Sequence, residues 1–165
     1  MSTETRRDIV LLLIIFLLSA AAVTSVFARC QLLAWAVIVT SDLYLSIVLL
    51  LAALLSDDEG FLNRHRWMMG FLPGRRTSGL LVVMLLFVAV VSGFAGLYVG
   101  TEVFSFVKTP LDAFYVSSFT LALTDYSPKP GYGQLVVLGQ LASSILLLVA
   151  LFPLVISRIS TFKHP

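Results

Sequence analysis

The chain has 165 residues, of which 59% are hydrophobic and only 12% charged, and its net charge is +2. Soluble domains carry roughly 25% charged residues and at most about half apolar ones, so this composition excludes a soluble globular protein. The near-neutral balance gives no footing for nucleic acid as a partner, and the single cysteine, Cys30, excludes an intrachain disulfide or a multi-cysteine metal site.

The apolar residues fall in long runs, and about 20 in a row suffice to cross a bilayer. Four such runs occupy residues 9–27, 31–55, 79–98 and 134–157. The remaining pieces are each shorter than the roughly 50 residues of an independent domain, so no separate soluble catalytic or regulatory domain is expected among them. The pattern predicts an all-α membrane protein with an N-terminal two-helix hairpin (1–55), a linker (56–78) and a second pair of spans with their connection (79–165).

The first run is preceded by Arg6 and Arg7 and ends near Ala20-Ala21-Ala22, which also fits a secretory leader; we read it as a true span. A lipoprotein reading of Cys30 fails because the bulky cation Arg29 directly precedes it. In the second run, Asp42 stands near the middle, in Val39-Thr40-Ser41-Asp42-Leu43-Tyr44. A carboxylate there costs about 2.5 to 3.5 kcal/mol on an insertion scale. It is expected to face protein or water, with Thr40, Ser41 or Tyr44 as neighbouring partners. Its role is open between an ion or proton sensor and a hydrogen-bonded packing contact.

Lys and Arg set the direction of insertion. Eight of the eleven lie in the N-terminus, the 56–78 linker and the C-terminal tail; Arg29, Lys108 and Lys129 lie on the other side. Both termini are therefore expected in the cytoplasm, with the Cys30 turn and residues 100–133 outside. The linker starts acidic, at Asp57-Asp58-Glu59, then interleaves Phe61, Leu62, Trp67, Met68, Met69 and Phe71 with Arg64, His65 and Arg66. That mixture predicts an amphipathic segment on anionic headgroups, a plain basic linker being the alternative, and Pro73-Gly74 ends it. His65 is read as an interfacial polar residue rather than a ligand. In the third run Gly93, Gly96 and Gly100 line a face suited to close helix contact.

The 34-residue connection from 100 to 133 is not an ordinary loop. Its middle, residues 111–123, reads LDAFYVSSFTLAL, too short to span but long enough for about three helical turns. Span, short buried helix, irregular polar turn and span together make the plan of a pore loop. The stretch from Asp112, DAFYVSSFTLALTDYSPKPGYGQLVVLGQL, resembles the pore region of tetrameric potassium-channel-type proteins. Asp112, Ala113, Tyr115, Ser117, Thr120 and Leu121 match the opening of that family's pore helix; Gly133 and Gln134 stand where its inner helix opens with Gly-Arg. Gln140 falls on the acidic position of that helix. With the third span, the resemblance covers about half the chain. It implies a pore helix at 111–123, a filter-like loop at 123–130 and an inner helix at 134–157 in a homotetramer.

The filter itself departs from the family. In this register Leu123-Thr124-Asp125-Tyr126-Ser127 replaces Thr-Val-Gly-Tyr-Gly. Stacked backbone carbonyls replace water around potassium, and the two glycines reach φ > 0 that other residues adopt only at a cost. A four-site potassium filter is not expected. A literal Gly-Tyr-Gly at Gly131 to Gly133 is read as the turn into the fourth span, because Pro128 and Pro130 would otherwise interrupt the pore helix. With fourfold symmetry, Asp125 would form a carboxylate ring that attracts cations; the alternative is a cap on a turn. Ser127-Pro128-Lys129-Pro130 loosely resembles the segment after the acidic filter residue of the poorly selective cyclic-nucleotide-gated channels, with the acid one position displaced, and Lys129 adds positive charge near the mouth.

Ser143 and Ser144 lie where the family's inner helix often carries a flexible glycine; they wet a cavity or hydrogen-bond a neighbour, according to the face they occupy. Pro153 is expected to kink the last turns. The first two spans hold no arginine ladder, so voltage sensing is excluded. No nucleophile–base pair or metal cluster is present, no cofactor is expected, and no inverted repeat suggests a transporter. The expectation is a homotetrameric, weakly selective cation channel of the plasma membrane, its partners being its own copies, lipid and inorganic cations. A non-conducting relative acting as a scaffold or regulatory partner is the alternative.

Overall fold

The structure is a computed structural model that describes residues 3–57, 76–120 and 127–156. Over these residues the chain is all-helical: α1 (Thr3–Ala28), α2 (Gln31–Asp57), α3 (Arg76–Thr101), α4 (Pro110–Thr120) and α5 (Tyr132–Ile156). Four of them, α1, α2, α3 and α5, are long and apolar enough to cross a membrane. The 11-residue α4 is not, since it reaches only about 16 Å of the roughly 30 Å hydrocarbon thickness. The amphipathic segment expected in the linker, with Trp67 and His65, lies outside the described residues, as do Leu123, Thr124, Asp125 and Tyr126 of the filter-like loop.

The central helix is α3, which packs against all four others. In its most apolar stretch 67% of residues are buried, against 28% for α1 and 33% for each of α2 and α5. A helix apolar on every side has no polar face to give to water, so it takes the middle. Its glycines bring the N-terminal hairpin close. A Cβ on Gly96 would lie 2.5 Å from Ser25 Oγ of α1 and 3.2 Å from Ala34 Cβ of α2, and one on Gly93 would lie 2.8 Å from Ile38 Cγ1. The α1–α3 contact also carries a hydrogen bond, Ser19 Oγ to the Leu85 carbonyl at 2.8 Å.

The hairpin turn is tight. Cys30 N–H donates to Ser25 O (3.1 Å) and Arg29 N–H to Val26 O (3.4 Å), the paired pattern that closes a helix on a left-handed residue. That residue is Arg29, at φ 51°, where glycine is usual. Its guanidinium Nη2 reaches the Lys108 carbonyl at 3.2 Å. At the same end, Trp35 Nε1 donates to the Tyr132 hydroxyl (3.1 Å), two half-wet aromatics that mark a level suited to a membrane interface.

Besides a small cluster of Ala22, Val37 and Ala89, two larger apolar clusters fill the bundle. One gathers Ile38, Phe94, Tyr98, Phe104, Val116 and Val136 near the α4 end. The other gathers Ile15, Leu45, Val82, Leu86 and Leu147.

Candidate functional site

The short helix α4 is tied at both ends. Thr109 caps it: its Oγ1 accepts from Asp112 N–H (3.2 Å), and the Asp112 carboxylate accepts from Thr109 N–H (3.0 Å) and Lys108 N–H (3.3 Å). Pro110 follows the cap, where a missing N–H costs nothing. The Thr109 hydroxyl first, then the backbone N–H groups of Thr109 and Lys108, hold the Asp112 carboxyl below the usual carboxylate value.

The other end is held by a buried polar network. Ser117 Oγ donates to the Val91 carbonyl of α3 at 2.7 Å. Gln140 of α5 donates from Nε2 to Ser117 O (2.7 Å) and Ser117 Oγ (3.1 Å), and its Oε1 accepts from the Tyr98 hydroxyl. Both amide hydrogens and both hydroxyl protons thus have acceptors. The Ser117 carbonyl is one of the last four of α4, which have no partner within their own helix, so Gln140 supplies what the helix end lacks. Gln140 and Ser117 are fully buried. Val91 lies ten residues before the end of α3, which places Ser117 about 15 Å below that end. Thr120, in the last turn, is buried and bonds the Val116 carbonyl at 2.7 Å.

Beyond the undescribed residues the chain is again near the upper end of α3. Ser127 is exposed, and Lys129 N–H donates to the Val103 carbonyl at 2.9 Å. The Lys129 ammonium pairs with Glu102 at 3.3 Å, both side chains exposed. Gly131, at φ 82°, caps α5, accepting from Leu135 N–H at 3.2 Å while Gln134 Oε1 reaches back to its N–H at 3.4 Å. Gly131, Tyr132 and Gly133 therefore form the cap and first residues of α5.

Ser143 and Ser144 both face into the chain. Ser144 Oγ donates to the Gln140 carbonyl (2.6 Å). Ser143 Oγ lies 2.7 Å from Asp42 Oδ2 and 3.0 Å from the Gly139 carbonyl. Asp42 was expected to find its partner nearby on α2, but Thr40 turns its hydroxyl to its own helix, on the Ala36 carbonyl at 2.7 Å. The partner is Ser143, brought from α5 by the packing of α2 against it. With Gln140, Ser143 and Ser144 all buried, the free face of α5 is apolar: Leu135, Leu138, Ile145 and Leu148 are each more than 60% exposed.

The sequence singles out Ser117, Thr120, Ser143, Ser144 and Asp42 but gives Tyr98 no role and Gln140 only an alignment position. The available signal was a lone amide inside an apolar run, which must find a partner when buried. Among family models, curated proteins and solved structures, none matches the chain.

Proposed function

We propose that the protein is a tetrameric, pore-loop cation channel of the cell membrane, with both termini in the cytoplasm, a filter unlike that of potassium channels and weak selectivity among cations. The observation that carries this reading is the fixing of α4. Its start is held at the outer level by its cap and by Arg29 on the Lys108 carbonyl, its last turn is bonded to Val91 and Gln140 about 15 Å lower, and Lys129 then bonds Val103 near the top. Such a descent and return supports a re-entrant pore helix, which is tolerated at membrane depth only when protein or a water-filled cavity surrounds it. Residues 123–127 follow that helix, and four copies of Asp125 would supply the cation-attracting ring.

A second reading, a non-conducting relative that serves as a membrane scaffold, is favoured by the apolar free face of α5. If that face lines the axis, the passage dewets unless it widens. Flux of K⁺, Na⁺ and Ca²⁺ into liposomes holding the purified tetramer separates the two. The channel reading expects cation flux, with selectivity altered by Asp125→Asn. A folded tetramer that passes none of the three ions overturns it; unchanged selectivity in the variant overturns the carboxylate ring alone.

A further inference from the structure

Asp42 sits within the apolar stretch Gln31–Leu51 of α2. Ile38 and Val136 on one side of it belong to the upper cluster, Leu45 and Leu147 on the other to the lower one, so the half-buried Asp42–Ser143 contact lies between two apolar clusters. Its second oxygen, Oδ1, is buried with no protein partner among the described residues, and so is Ser41 Oγ beside it. A charge in such a place would need full pairing.

The hydrogen count says which form fits. Ser143 has one hydroxyl proton but two acceptors within reach, Asp42 Oδ2 at 2.7 Å and the Gly139 carbonyl at 3.0 Å. If Asp42 were ionised it would accept from Ser143 alone, and only by taking that proton from Gly139. If Asp42 carries a proton, Oδ2–H donates to Ser143 Oγ, Ser143 donates to Gly139, and both short distances become complete hydrogen bonds.

Among the described residues, no other charge stands at this level. Arg6, Arg7 and Asp8 of α1 lie near its start: Asp42 is 12 residues from Cys30 at the turn and Asp8 is 22, a difference of about 15 Å along the hairpin. On α3, Tyr98 is committed to Gln140; on α5, Tyr132 is bonded to Trp35 at the outer end. Tyr44, on α2 itself, points about 160° away around the helix.

We propose that Asp42 is an intramembrane proton-binding site whose bound proton latches the N-terminal hairpin to α5 through Ser143 and the Gly139 carbonyl. When the proton leaves to water, the O–H bond of Asp42 breaks and its electron pair stays on the carboxylate. The Ser143 hydroxyl then turns from Gly139 to Asp42, and the buried charge draws water between α2 and α5. The site requires only that these helices cross a membrane, so it stands apart from conduction.

Infrared difference spectra of the protein in lipid, recorded across pH, read the carboxyl directly. The wild type is expected to show a protonated-carboxyl band at neutral pH that is lost on alkaline titration and is absent from Asp42→Asn. Ser143→Ala keeps the carboxyl but removes its acceptor, so its band is expected to shift. The protection of α5 amides near Ser143, exchange being corrected for its own base catalysis, should fall across the same titration in the wild type and stay flat in Asp42→Asn. Absence of a neutral-pH band that Asp42→Asn removes overturns the proposal. So does a wild-type pH dependence of protection in that variant, or an unshifted band in Ser143→Ala. None of these readings depends on flux, so failure here and failure of the channel reading are separable.

Discussion

Helix α5 makes two polar junctions less than one helical turn apart, one buried and one half-buried, and they are built on opposite rules. At Gln140 every donor has its acceptor, and the bonds join α3, α4 and α5 within one half of the chain. At Ser143 one proton faces two acceptors, a carboxylate oxygen is left over, and the bond crosses from that half to the N-terminal hairpin. A fully satisfied network rigidifies; a partly satisfied one can be rearranged by a proton. The first junction is suited to a fixed strut under α4, the second to a contact that changes state.

The comparison breaks most sharply at Gln140. Gln140→Leu is close in size but leaves the Tyr98 hydroxyl and the Ser117 carbonyl buried without partners, at about 1 to 3 kcal/mol for each such group. A loss of about 3 kcal/mol is expected in equilibrium unfolding in detergent, and adding Tyr98→Phe should recover part of it because one stranded group is removed with its partner.

Next comes the hairpin, which the second junction needs in place. Gly96→Leu would drive a side chain into Ser25 and Ala34, and overpacking of this kind costs about 1 to 3 kcal/mol. Cross-linking of cysteines placed on α1 and α3 should report the separation. Gly96→Ala should be milder and should couple to Ser25→Ala, which removes the nearest atom. Ser143→Ala strands one half-buried group, the Asp42 carboxyl, and should cost about 1 to 2 kcal/mol by the same unfolding measurement. A cost equal to that of Gln140→Leu would erase the distinction between the junctions.

The sequence exposed the fold far better than these junctions. Four apolar runs announced the four long helices, because apolar length alone decides what can cross a bilayer. Their ends were less legible: α1 begins at Thr3, six residues ahead of the apolar run, since the polar stretch up to Asp8 continues the helix without adding apolar signal. The 11 residues of α4 were visible as an apolar piece too short to span. What could not be read was partnership. Ser143 lies 101 residues from Asp42, and only tertiary packing selects it over Thr40 two residues away.

The smallest effect belongs to the N-terminal end of α4, where the same strut is held by an exposed cap instead of a buried amide. The Asp112 carboxyl is held below its ordinary value by Thr109 and the N–H groups beside it. A depressed value in the folded chain means that the unfolded chain binds its proton first as pH falls. The cap's contribution is therefore fully present above the ordinary carboxylate range and fades only as pH drops through the lowered value. Asp112→Asn should then be less stable than the wild type at neutral pH, and the gap should close on acidification below that range, read by thermal unfolding at a series of pH values. The Gln140 strut has no group that titrates between neutral and acid pH, so the loss in Gln140→Leu should stay constant over the same series; a gap that closes for both variants would mean that the two ends of α4 are not held independently.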